Sequence, residues 1–287
     1  MKQKTTFFDW MNVLFFAVIA LMCIVPYVHL IAKSFSDSRS VASGAVAFWP
    51  RGFHFNAYKY VMTESYMDNA LLVSLLVTVL GTAGAMIITV MCAYPLSKPE
   101  LPGRRAFLLM VAFSMLFYGG IVPSYLLMRT LGLVNTMAGM IVPLIFTPFN
   151  MLVIKTFFEN LPESIMESAR IDGASNFRTL FSIVMPVSLP VLATIGLYYA
   201  VAYWNSYFHP MMFITKRELK PLQIFLQEMI NSSGDVEETS KMQQMLNVTV
   251  GNAQAAAIVV ATGPIALVYP FLQKYFVHGL TVGSTKG

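Results

Sequence analysis

Charged residues fall in short clusters along this chain. Six segments between them contain no Asp, Glu, Lys or Arg: 11–32, 70–97, 106–128, 130–154, 179–215 and 242–273. A hydrocarbon core of about 30 Å needs about 20 helical residues, and each segment is long enough to cross it. A charge at the bilayer centre costs at least about 2.5–3.5 kcal/mol, which accounts for the segregation. The apolar runs are continuous rather than alternating, so their backbone is satisfied as helix and not as barrel strand. The pattern predicts an all-α integral membrane protein with six transmembrane helices. The fifth segment is too long for one helix, since at 1.5 Å per residue it would run about 55 Å. Pro210 is expected to end that helix.

Composition agrees with this reading. The chain is 56% hydrophobic and 11% charged, against roughly a quarter charged in ordinary globular chains. Lys2 and Lys4 before an apolar run resemble the start of a signal peptide. The run nevertheless continues through Pro26 to Ala32, and Met22 rather than a small residue precedes Cys23. A retained first helix is therefore expected. Cys23 and Cys92 lie in different spans and read as small buried hydrophobes. The net charge of +5 is scattered over short loops, which gives no nucleic-acid footprint.

With both termini cytoplasmic, ten basic residues lie inside and nine outside. The tight 98–105 loop holds Lys98, Arg104 and Arg105, and short loops weigh most in the positive-inside rule. Two outside segments are long, roughly 33–69 and 209–252. The first contains Trp49-Pro50, Phe53, Phe55, Tyr58 and Tyr60 and is expected to be partly ordered on the membrane surface. The second contains Asn231-Ser232-Ser233-Gly234-Asp235, a loop tip.

Residues 160–185 are the most informative stretch, because a plain connection between two spans would not need them. Pro162 and Glu163 suit the start of a short helix, and Ile165, Met166 and Ala169 recur at helical spacing. Asp172-Gly173 is a turn signal, with Gly able to supply a positive φ. Ser175 can cap a second short helix carrying Phe177, Leu180 and Phe181, and Pro186 is expected to kink the span that follows. From composition alone, this is an amphipathic loop with solvated charges or a docking element for a cytoplasmic partner.

The residues Glu167, Ala169, Gly173, Ile183 and Pro186 are spaced as in the E-A-A-x3-G-x9-I-x-L-P loop of bacterial ABC importer permeases. The chain resembles that family, with Ser168 for the first Ala and Met185 for the Leu. The similarity extends over nearly the whole chain. Gly119-Gly120-Ile121-Val122-Pro123-Ser124-Tyr125, Trp204-Asn205, the run Tyr269–Phe276 and the Gly279–Gly287 tail resemble the carbohydrate-uptake branch, in particular the second permease of oligo- and polysaccharide importers.

The resemblance implies a type I ABC importer permease fold. Its parts would be an N-terminal helix and extracytoplasmic segment (1–69), a permease core (70–277) with the coupling loop 160–185, and a cytoplasmic tail (278–287). It implies that Glu167, Ser168, Ala169, Arg170, Asp172, Gly173, Ala174, Phe177 and Arg178 couple to an ATPase. The implied partners are a homologous permease as heterodimer, two ATPase subunits that bind the ATP, an extracytoplasmic solute-binding protein and membrane lipid. The implied location is the bacterial plasma membrane, with cytoplasmic termini.

Aromatic faces stack on sugar rings, and amides bond their edges. Tyr199, Tyr203, Trp204 and Asn205 offer that chemistry and are the candidate translocation-pathway residues; a Trp/Tyr interface belt is the other reading of the same residues. Asn150, Asn252 and Gln254 suit interhelical hydrogen bonds.

No G-x4-G-K-[ST] loop occurs, so the chain itself is not expected to hydrolyse ATP. His29, His54, His209 and His278 show no ligand spacing, and neither a metal site nor a cofactor is expected. An ion-coupled secondary transporter is disfavoured because no span holds an acidic residue. A membrane enzyme is disfavoured by the lack of a catalytic motif. A permease for a non-sugar solute is the remaining alternative.

Overall fold

The computed structural model describes residues 7–63, 65–117, 119–171, 173–231 and 248–282, with side chains throughout except at 168–170 and 268–282. Asp172 and the tail 283–287 lie outside the described residues. The regular elements among the described residues are all helices, in two compact units that interleave along the chain. One joins residues 1–68 with 225–264; the other joins 69–224 with 265–287. The expected parts 1–69, 70–277 and 278–287 follow chain order, whereas these units are discontinuous.

The first, second and sixth apolar segments form continuous helices: α1 (Phe7–Ser34), α4 (Met67–Leu96) and α15 (Val250–Val282). The other three are broken. α5 (Arg104–Leu116) stops before Gly120, whose φ of 91° only glycine adopts readily, and α6 (Ile121–Thr130) follows. α7 (Met137–Ile141), extended by a 3₁₀ turn at Val142–Leu144, is bent by 52° from α8 (Pro148–Glu159). Pro148 lies in the first turn of α8, where its missing N–H costs nothing.

The fifth segment breaks earlier than its length suggested. Helical residues 176–187 bend by 86° into α12 (Leu189–Trp204). The break lies at Ser188, with Pro190 in the first turn of the new helix. Pro186 sits in the short α11 (Met185–Val187) and does not itself mark the bend. Nor does Pro210 end the helix: Asn205 caps α12, and Pro210 lies inside α13 (Phe208–Phe213).

In the first unit, α1 carries no buried residue before Ala32, and Ala32 and Ser34 at its end are buried. Beyond it, residues 35–63 fold into a cap. Asp37 caps α2 (Ser38–Ala42), accepting hydrogen bonds from the amide and hydroxyl of Ser40 at 2.7 and 2.8 Å. Those two bonds hold its carboxyl below the ordinary value. Gly52 takes a φ of 63°, and any Cβ there would collide with the Asp37 carboxylate. Phe35 stacks on Phe53 and meets Phe55 and Tyr58 of α3 (Asn56–Thr63) and the loop before it. Asn252 of α15 is fully buried, and its amide donates to the Ser36 carbonyl at 2.6 Å and the Lys33 carbonyl at 3.3 Å. It thus does the interhelical work expected of it. Gln254 likewise donates to the carbonyl of Met229 in α14 (Leu222–Asn231).

The core of the second unit gathers Val77, Ala85, Val90 and Tyr94 of α4, Met151, Ile154 and Phe158 of α8, and Ile195, Tyr199 and Tyr203 of α12. Leu180 and Val184 join it from the polar stretch, and that attachment positions the site.

Candidate functional site

The polar stretch is a helical hairpin, as its sequence suggests. α9 (Glu163–Ile171) follows Pro162, and α10 (Asn176–Thr179) is capped by Ser175. The Ser175 hydroxyl accepts from the Arg178 amide at 3.3 Å, and its carbonyl accepts from the Thr179 amide at 2.8 Å. Gly173 turns the chain with a φ of 69°, and a Cβ there would meet nothing within 4 Å. Its requirement is therefore conformational rather than steric.

The two ends of the hairpin differ in their surroundings. At the tip, Ile171 is 86% exposed and Phe177 is 63% exposed, with Glu167, Gly173 and Arg178 also on the surface and Ala174 half-buried. Large apolar side chains exposed beside charges offer the chemistry a contact surface can use. At the base, Thr179, Leu180 and Val184 are buried, and a π-helical turn at Leu180–Val184 runs into α11. Leu180 and Val184 pack in the same cluster as Tyr94, Ile154 and Phe158, so the base of the hairpin is joined to α4 and α8. Of the remaining residues singled out in this loop, Ser168, Ala169 and Arg170 lie on α9 with side chains outside the description, and Asp172 lies outside it altogether.

A cleft of about 390 Å³ separates α10 from the end of α4. Met91, Tyr94, Leu101, Phe177 and Leu180 line it, with Lys98 and Glu100 also on its wall. Lys98 stands over the Tyr94 ring, 4.9 Å from its centre. Arg104 stiffens this wall: its Nε donates to the Leu96 carbonyl at 2.9 Å, and its guanidinium pairs with Glu159 of α8. Lys155 pairs with the same carboxylate at 2.7 Å. The basic 98–105 loop is thus tied to the helix that leads into the hairpin.

The four candidates on α12 do not share one environment. Tyr199 and Tyr203 are 1% and 3% exposed, so neither ring is open to a solute here. Both hydroxyls serve backbone groups released where α7 and α8 part. The Ile145 amide turns to the Val142 carbonyl in the 3₁₀ turn, leaving the Ile141 carbonyl, and Tyr203 donates to it at 2.9 Å. The Tyr199 hydroxyl accepts from the Thr147 amide at 3.0 Å and shares a hydrogen bond with Thr89 at 2.8 Å. Backbone groups inside a membrane span need such partners, because lipid supplies none.

Gly81 makes room for this arrangement: a Cβ there would sit 2.6 Å from the Tyr203 ring. Trp204 is also buried, and its carbonyl accepts from Gln223. Asn205 is exposed at the helix end, its amide donating to the Val201 carbonyl at 3.1 Å. In sequence the tyrosines read as belt or as pathway, and neither reading points to the backbone. Pro143 and Pro148, five apart in one apolar run, were the signal of a break that polar side chains would have to repair.

Residues 7–282 match the family described as the binding-protein-dependent transport system inner membrane component. The chain belongs to that family.

Among its relatives is the polygalacturonan/rhamnogalacturonan transport system permease protein YtcP of Bacillus subtilis (strain 168). It is 40% identical over 286 residues, which cover 99% of this chain and 100% of that protein. The arabinooligosaccharides transport system permease protein AraQ of Halalkalibacterium halodurans is 28% identical over 297 residues, covering 100% of both chains. Among solved structures, a bacterial ABC transporter involved in the import of the acidic polysaccharide alginate contains a chain 31% identical to this one. It superposes with a TM-score of 0.91, over 96% of this chain and 100% of that one.

The chain is therefore a multi-pass membrane permease subunit of an ABC importer, with the type I permease fold. It is not an enzyme: in this family ATP hydrolysis belongs to a separate subunit, and a permease works with an ATPase and a solute-binding protein.

Proposed function

We propose that this subunit forms half of the translocation path of an ATP-driven importer for an oligo- or polysaccharide. Its homologous permease partner forms the other half, in a heterodimer served by two ATPase subunits and an extracytoplasmic solute-binding protein. The complex lies in the bacterial plasma membrane, with both termini of this chain cytoplasmic. That orientation places the 98–105 loop and the hairpin on the ATPase side. The carbohydrate assignment is supported by the relatives, whose names specify polysaccharide and oligosaccharide transport.

The observation that carries the coupling role is the division of the hairpin into an exposed tip and a buried base. ATP-driven closure of the ATPases moves the tip around Glu167, Gly173 and Phe177. The base passes that motion through Leu180 and Val184 to α4 and α8, and the membrane helices reopen on the opposite side. In this scheme Tyr199 and Tyr203 keep the broken α7–α8 span in register while it moves, and Asn205 is the α12 candidate left facing outward.

The test is affinity capture of the solubilised protein from its host membrane. Recovery of an ATPase, a second permease and a binding protein is expected, with the binding protein's ligand naming the sugar. Recovery of the chain alone, still folded, would reject the assignment.

A further inference from the structure

The cap on the first unit has a shape that its sequence did not disclose. Beyond α2 the chain doubles back along α1. The His29 ring donates through Nδ1 to the Ala47 carbonyl at 2.8 Å. His29 lies five residues before the end of α1, which at 1.5 Å per residue is about 7.5 Å short of it. Lys33 is the first charge after the apolar run, so the level of His29 is one helical turn inside the hydrophobic boundary. The residues that follow Ala47 are Phe48 and Trp49, and the Trp49 ring is 83% exposed.

The hook is held at both ends. Its return limb is fixed where the Asp37 amide donates to the Arg51 carbonyl at 2.8 Å and the Arg51 amide to the Ser36 hydroxyl at 3.0 Å. The His54 amide then donates to the Phe35 carbonyl at 3.0 Å. Phe53 and Phe55 stay exposed even though Phe53 stacks on Phe35 and Phe55 meets both rings edge to face, and Arg51 and Lys59 are exposed beside them.

From this geometry we infer that the 44–55 hook is a lipid anchor. Phe48, Trp49, Phe53 and Phe55 enter the headgroup–acyl boundary of the outer leaflet, with Arg51 and Lys59 directed at lipid phosphates. An amphipathic element is buried about 5–10 Å at that boundary, a depth that brackets the offset set by His29. Trp favours that depth because its ring is apolar and its N–H finds a partner there. Continuity with α1, whose apolar stretch carries no buried residue before Ala32, makes lipid rather than solvent the medium around the hook. The anchor fixes more than a loop, since Asn252 bonds the carbonyls of Lys33 and Ser36 and so ties the start of α15 to the same element. The assignment rests on the outward orientation given above.

The test uses the assembled importer in native membranes with Trp49→benzoylphenylalanine, irradiated and analysed for the mass of the adducts on this chain. The variant is used only if the complex still assembles. Phospholipid adducts are expected. Adducts to the partner permease or to the binding protein would overturn the proposal, as would recovery of unadducted protein alone.

A second measurement addresses depth. In liposomes of brominated phosphatidylcholine, wild-type fluorescence should be quenched more by bromine near the headgroup than by bromine near the chain ends. The excess should fall in Trp49→Phe, with Trp10 and Trp204 supplying what remains; an unchanged quenching profile in that variant would also overturn the anchor. If the orientation itself is reversed, lipid adducts still form but an impermeant reagent on the outside fails to label a cysteine placed at Lys59, which separates the two failures.

Discussion

The hairpin at 163–180 and the tyrosine pair of α12 are both polar insertions in an apolar chain, yet the fold uses them in opposite ways. The hairpin keeps its polar and large apolar groups on the surface, with Ile171, Phe177, Glu167 and Arg178 exposed and only its base buried. The tyrosines are sealed inside, and their hydroxyls are consumed by Ile141, Thr147 and Thr89. Exposed chemistry is available to a partner; buried chemistry answers the backbone. A polar residue in a membrane chain is therefore assigned by what its neighbours lack, since a broken span creates a demand that an unbroken one does not.

The largest effect expected from breaking this contrast is at Gly173. Its φ of 69° lies far from the φ near −65° that a proline ring imposes, so a proline there cannot keep the turn. Gly173→Pro should abolish uptake while the protein still inserts and keeps its membrane level. Gly173→Asn should retain most activity, because Asn tolerates the left-handed region and no neighbour obstructs a Cβ. Uptake assays with quantified membrane fractions decide it, and normal transport by the proline variant would remove the coupling role.

Next come the stitches. Tyr203→Phe leaves the Ile141 carbonyl buried without a donor, at a cost of about 1–3 kcal/mol. Gly81→Ala drives a methyl into the Tyr203 ring, an overpacking worth roughly 1–3 kcal/mol. Thermal denaturation of the purified complex should register both. Basal and solute-stimulated ATP hydrolysis should fall in the same proportion, as expected of a packing defect. A selective loss of the stimulated rate would return the tyrosines to the pathway.

Trp204→Ala sharpens the same comparison one residue along. Trp204 is packed and its carbonyl is engaged by Gln223, while Asn205 beside it is exposed. Truncating a buried Trp costs about 3–5 kcal/mol in a tight core, and less at an element's end where neighbours can collapse. Basal and stimulated hydrolysis should again decline together for Trp204→Ala, whereas Asn205→Ala should change only the stimulated rate. Equal behaviour of the two variants would erase the distinction drawn between them.

Much of this was legible in the chain. Charge segregation located the apolar segments, and the Pro162, Gly173 and Ser175 signals located the hairpin to within a residue or two. These are local features, in which each residue's own backbone preference decides the outcome. The breaks were less legible: Pro186 and Pro210 drew attention, while the bend formed at Ser188 just before Pro190. Prolines tolerate the first turn of a helix, so a run of them leaves open which one starts the new helix. The roles of Tyr199, Tyr203 and Gly81 were not legible, because their partners lie 52 to 122 positions away (199 − 147 and 203 − 81) and no local pattern encodes them. The return of the chain from Ala47 to His29 belongs to the same class.

The smallest expected effect tests how finely the hairpin is set. Ser175→Ala removes an N-cap, which typically costs about 1 kcal/mol. Here the side-chain bond is long at 3.3 Å, and the Ser175 carbonyl still accepts from Thr179 at 2.8 Å. The loss should therefore sit near the low end, about 0.5 kcal/mol, a little over twofold in any equilibrium it controls. Uptake should fall by no more than that, and Ser175→Asp, which restores an acceptor, should recover it. A defect as deep as that of Gly173→Pro, unrelieved by Asp, would mean that the Ser175 hydroxyl is spent on the ATPase rather than on its own helix. The exposed tip would then extend into α10, and the line between partner-facing and self-satisfying polar groups would fall inside the hairpin.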